Sequence, residues 1–64
     1  MHLRAHRTQA GLTQAQLAQA VGVSRKTVNT IENGVFIPST LLALKLARHL
    51  AVGVEDLFAL PGGE

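Results

Sequence analysis

Apolar and polar positions along the chain change register several times, and each change coincides with a start or stop residue. From Leu3 to Ala10, Leu3 and Ala10 fall inward and Arg4 outward, and Gly11 closes the segment, which predicts a first helix. Thr13 offers an N-cap to a second helix, with Leu17, Ala18 and Val21 on one face and Gln14, Gln16 and Gln19 elsewhere. Gly22 ends it. Ser24 caps a third helix in which Ser24, Val28 and Ile31 cluster inward, and Asn33-Gly34 supplies the stop. Pro38 then blocks continuation, and Ser39 caps a fourth helix from about Thr40 to Leu50. Its core stripe is Ala43, Leu46, Ala47 and Leu50, yet Leu41, Leu42 and Leu44 are apolar too, so the stripe is wider than one core needs. Val52-Gly53-Val54 reads as a turn, and Glu55-Asp56 opens a last short helix whose Leu57 and Phe58 plug the bottom of the core.

The expected fold is all-α: five short helices in one domain over residues 1–64, with a core from about residue 3 to 60 and a frayed tail at 61–64. Leu12 and Val23 are expected to pack under the second and third helices. Phe36 is expected to be buried, being one of only two aromatic residues, with a place in a dimer seam as the alternative for the Val35 to Ile37 loop.

Only Gly22 and Val23 separate the second and third helices, so the two must cross steeply and the third is presented outward. That is the syntax of a helix-turn-helix. With about 100° per residue, Lys26, Asn29, Thr30 and Asn33 lie on the outer side of the third helix and Arg25 on its flank. Arg and Lys match the acceptor edge of guanine, Asn matches adenine, and the Thr methyl matches the thymine methyl, so this face suits the major groove of DNA. Taken singly, these side chains read as a solvated helix face; their place on the second helix of the motif reverses that.

Glu32 breaks the pattern, since it lies close to the Val28 and Ile31 stripe, where a carboxylate needs a partner. Arg7, late in the first helix, is the predicted one, because a bidentate guanidinium suits a partly buried carboxylate. The competing arrangement has Glu32 reaching water and Arg7 touching phosphate.

The chain has 64 residues, too few for a large core, and no cysteine, so neither a disulfide nor a cysteine-based zinc site can add stability. Its hydrophobic fraction of 47% is high for so small a domain, which predicts apolar surface that meets another chain. No apolar run is long enough to span a membrane, and MHLRAHR is too polar for a signal peptide, so a cytoplasmic protein is expected. The net charge is +2, with the acids Glu55, Asp56 and Glu64 near the C-terminus and the first half basic.

An enzyme is disfavoured. His2 and His6 stand at a spacing that can hold a metal, but no third ligand is evident, and His49 suits a helix end. Ser24 and Ser39 are better caps than nucleophiles, since no base is placed to activate either. No cofactor and no small-molecule ligand are expected.

With LTQAQLAQAVGVSRKTVNTIENG followed by PS, ALKLARHL and VEDLF, the chain resembles the phage-repressor-like family of Cro and C1 type, from Leu3 to Phe58. The resemblance implies a lambda-repressor-like fold and a dimeric transcriptional regulator, usually on a palindromic operator, with the third helix in the major groove. It further implies that Arg25, Lys26 and Asn29 face bases, that Thr27 and Thr30 serve bases or phosphate, and that Gln14 contacts phosphate and braces the third helix. Thr13, Thr27 and Asn33 join Gln14 as expected phosphate or positioning contacts, and Arg7 often pairs with Glu32. Val35 and Ile37 depart from the family, which commonly carries basic or polar residues there. The expected activity is repression by a homodimer on double-stranded DNA, with Leu41, Leu44, Leu57 and Leu60 as candidate dimer contacts. The alternative is an antitoxin that binds a toxin and represses its own operon.

Overall fold

The computed structural model describes residues 2–58, and within them the chain forms five α-helices and no strand. Leu60 and the 61–64 tail lie outside the described residues. Helices α1 (Leu3–Gln9), α2 (Gln14–Val21), α3 (Arg25–Glu32), α4 (Thr40–Leu50) and α5 (Val54–Leu57) follow in order.

The helix starts are chemically explicit. Thr13 and Gln16 form a reciprocal capping box: the Thr13 hydroxyl accepts from the Gln16 amide at 3.0 Å, and the Gln16 side-chain oxygen accepts from the Thr13 amide at 2.9 Å. The Ser24 and Ser39 hydroxyls cap α3 and α4 by accepting from Thr27 and Leu42 amides. Ser24 is therefore a surface cap, contrary to its expected inward position.

The turn between α2 and α3 depends on Gly22, whose φ of 79° is left-handed. There the amides of Gly22 and Val23 reach back to the Ala18 carbonyl, closing the end of α2 within two residues. Ala51 plays the same part at the end of α4 with φ 58°, although its Cβ makes that conformation costly.

The core is aliphatic. Leu17, Ala18 and Val21 of α2, Val28 and Ile31 of α3, and Leu46 and Ala47 of α4 face one another, with Leu3 and Leu57 closing the ends. The His2 amide donates to the Leu57 carbonyl at 3.0 Å, tying the start of α1 to the end of α5. Leu12 and Val23 pack against this cluster from partly buried positions, and so do Leu50 and Phe58. Ala10, expected inward, is instead the exposed C-cap of α1.

Leu57 plugs the core as expected, and for that reason it departs from its second expected role, as a dimer contact; Phe36 departs from its expected burial. Leu57 has no exposed surface, so it serves the core and offers nothing to a second chain. Phe36, expected to be an anchor, is 44% exposed. Leu3, Leu17, Ile31, Leu46 and Leu57 supply the large fully buried side chains, while the amides of Val35 and Phe36 both donate to the Thr30 carbonyl. The loop backbone is held against the outside of α3, and its side chains stand in solvent.

Candidate nucleic-acid interface

The outer face of α3 takes shape once its inner face is fixed. Val28 and Ile31 are fully buried, which holds the helix in one rotation and turns Arg25, Lys26, Asn29 and Asn33 to solvent. Thr27 and Thr30 are half-buried at the edges of this face. The Thr27 hydroxyl shares a hydrogen bond with the Ser24 hydroxyl at 3.0 Å, and the Thr30 hydroxyl donates to the Thr27 carbonyl at 2.9 Å. Thr30 has thus spent its one donor internally and keeps its methyl group and lone pairs for contact.

Behind this face lies a buried charge. The Glu32 side chain has no exposed surface, and Arg7 meets it with two nitrogens, Nε on Oε2 and Nη2 on Oε1. The remaining Arg7 nitrogen donates to the Leu12 carbonyl at 2.8 Å, so the guanidinium also pins the link between α1 and α2. Two more donors complete the site: Arg4 Nε at 3.2 Å and Gln14 Nε2 at 3.1 Å, both on Oε1. Burial pushes the Glu32 carboxyl up, but the hydrogen bonds from Arg7, Gln14 and Arg4, with the Arg7 charge, outweigh it and hold the group below the usual glutamate value. Glu32 therefore stays ionised, and among the described residues no buried side-chain nitrogen or oxygen lacks a partner.

Arg4 was not legible as part of this site. It was expected to point outward, and its side chain is largely exposed, yet it spans from Glu32 to Asn33, donating to Asn33 Oδ1 at 3.0 Å. The available signal was its spacing: Arg4 and Arg7 are three residues apart and so share one side of α1.

Gln14 joins the buried site to the outer face. The same Nε2 that donates to Glu32 also donates to Asn29 Oδ1 at 3.2 Å, so both of its amide hydrogens are used inside the protein. This geometry makes Gln14 a brace between the start of α2 and the middle of α3. Thr13, beside it, is exposed and engaged in capping α2.

The apolar surface is elsewhere. Val35 and Ile37 are 78% and 88% exposed, and Leu41 and Leu44 stand out from α4 one turn apart. Beside them, Ile37, Pro38, Leu44, Val54 and Phe58 line a shallow groove between α4 and α5. Among the described residues there is no group of three or more His, Cys, Asp or Glu side chains that could hold a metal. No described helix is long and apolar enough to cross a membrane.

Two capped helices joined through a left-handed glycine, the second showing a cationic and amide-rich face, are the arrangement of a helix-turn-helix reader. The helix-turn-helix family profile matches residues 3–57. An HTH-type transcriptional regulator of Methanothermobacter thermautotrophicus is 46% identical over 59 residues, covering 91% of this chain and 86% of that protein. The HTH-type transcriptional regulator YgzD of Bacillus subtilis is 44% identical over 52 residues, covering 81% of this chain and 79% of its own. The crystal structure of the restriction-modification controller protein C.AhdI from Aeromonas hydrophila matches with a TM-score of 0.80 at 39% identity, over 88% of this chain and 85% of that one. The chain belongs to the helix-turn-helix family of Cro and C1 type, whose members are DNA-binding regulators of transcription and not enzymes.

Proposed function

We propose that the protein represses transcription by occupying a palindromic operator as a homodimer, with α3 of each copy in the major groove. The outer face of α3 carries this reading: Arg25, Lys26 and Asn29 are exposed on a helix whose rotation is fixed by two fully buried side chains. Arg25 and Lys26 suit acceptor edges or phosphate, and Thr30 suits a thymine methyl through its own methyl group. Thr13, Thr27 and Asn33 border this face and serve phosphate or positioning contacts. Gln14 serves as a brace, since a phosphate contact would cost it one of its two internal hydrogen bonds. Such a protein acts where the DNA is, in the cytoplasm of its cell.

A second copy is the partner that suits the apolar surface. Ile37, Leu41 and Leu44 are all more than half exposed, a large apolar area for a chain of this size. A two-fold contact through α4 and its groove would cover that surface in both copies at once and present two α3 helices about 34 Å apart, one turn of the duplex. Repression then follows from steric exclusion of polymerase.

Selection of bound duplexes from a random library, read at two salt concentrations, tests this. A palindrome that persists at the higher salt supports the homodimer on an operator. Binding that is independent of sequence and vanishes with salt contradicts it and favours a protein partner, such as a toxin, as the main ligand. Mass in solution gives a second readout: a monomer at concentrations well above those used for DNA binding contradicts the homodimer.

A further inference from the structure

Five side chains form a closed ring of hydrogen bonds at the base of the α3 face. Arg4 donates to Glu32, Gln14 donates to Glu32 and to Asn29, Asn33 donates to Asn29 at 3.4 Å, and Arg4 closes the ring by donating to Asn33. The direction of every bond is imposed from two ends. An ionised carboxylate only accepts, so Gln14 must turn its NH₂ toward Glu32, and the same NH₂ then requires the Asn29 oxygen. A guanidinium only donates, so Asn33 must turn its oxygen toward Arg4 and its NH₂ toward Asn29.

The consequence falls on Asn29, which the side-chain chemistry of asparagine would otherwise assign to adenine. A bidentate contact with adenine needs the amide oxygen to accept from the base amino group while the NH₂ donates to N7. Both lone pairs of Asn29 Oδ1 are already occupied, by Gln14 and by Asn33. Its NH₂ remains unengaged by the ring, with two hydrogens to offer. Guanine presents two neighbouring acceptors, N7 and O6, in the major groove, whereas adenine would set its own NH₂ against that of Asn29.

We infer that Asn29 is held as a donor and reads guanine, not adenine, and that Gln14 is the positioning residue that sets this choice. The inference rests on the regulator reading above and specifies one base within its operator.

The experiment begins from the selected operator and finds the base pair whose preference is lost in Asn29→Ala. A G·C pair is expected there. Replacing that guanine by 7-deazaguanine, which lacks the N7 acceptor, should weaken wild-type binding about fivefold and leave Asn29→Ala unchanged. Gln14→Ala frees one of the two lone pairs of Asn29 Oδ1, leaving only the longer bond from Asn33, and should erode the preference for G·C over A·T at that pair alone. An A·T pair at that position in the wild-type operator overturns the inference, as does wild-type binding indifferent to 7-deazaguanine, no pair that depends on Asn29, or an unchanged preference in folded Gln14→Ala. If Gln14→Ala does not fold, the 7-deazaguanine comparison decides, because it uses only the wild type and a substitution at an exposed side chain. A library that yields no preferred sequence at all contradicts the regulator reading itself, and the assignment of a base to Asn29 falls with it.

Discussion

The junction of α1, α2 and α3 buries a charge, while the flank made by residues 35–37, α4 and α5 exposes hydrocarbon. At the junction, Glu32 is fully enclosed, and four hydrogen bonds from Arg4, Arg7 and Gln14 satisfy it. On the flank, Val35, Ile37, Leu41 and Leu44 stand in solvent next to an apolar groove. The first region is complete within one chain, because polar groups demand partners of matched geometry and have them here. The second is incomplete, because apolar surface gains from any cover and this chain supplies none among its described residues. The face proposed to read DNA is thus built from interactions inside one molecule, and the face left open is the one proposed for assembly.

The largest expected effect breaks the junction. Glu32→Ala strands Arg7 beside a cavity and should destabilise the fold by about 3 kcal/mol, measured by chemical denaturation. A loss under about 0.5 kcal/mol would mean that the pair behaves as an exposed one. Acid should act on the same group. The Glu32 carboxyl lies below its ordinary value of 4.5 in the folded state, so its stabilisation is full above that value and is lost as pH falls through the lower, folded value. Glu32→Gln should remove that part of the acid dependence; an unaltered stability–pH curve below 4.5 would contradict the assignment.

Changes on the flank should act on assembly and spare the fold. Leu44→Ser, at an exposed position, should shift stability of the single chain by no more than about 0.5 kcal/mol while lowering the mass seen in solution toward the monomer. An unchanged mass would place the contact between copies elsewhere. Arg4→Ala should cost under about 1 kcal/mol, since this guanidinium is largely exposed and Arg7 remains. The smallest effect is a gain: Ala51→Gly should raise stability by about 0.5 kcal/mol, as relief of the left-handed strain outweighs the added freedom of the unfolded chain. A loss of stability there would show that the strain is negligible.

Much of the fold was legible because each boundary carries local chemistry. Thr13, Ser24 and Ser39 cap three helices, and Gly22 and Gly34 stop two. The buried position of Glu32 follows from its angle on α3, next to Val28 and Ile31. Leu57 plugs the core as its place after Glu55-Asp56 predicts, which leaves it no surface for a dimer contact, whereas Phe36 departs from expectation because hydrophobicity says that a side chain seeks cover without saying which side chain finds it: its loop is held by the Thr30 carbonyl outside α3. The hydrogen-bond ring was illegible for a different reason. Its bonds reach across as many as 29 positions, and apart from Glu32 they run through side chains that individually read as surface.

On the proposed function, the outer face of α3 meets DNA while the α4 flank meets a second copy. Backbone amide shifts recorded as the selected duplex is added to the protein test it most directly. Large shifts should concentrate between Ser24 and Asn33 and at the start of α2, with little change along the exposed face of α4. Shifts confined to α4 and residues 35–37, with α3 silent, would contradict it.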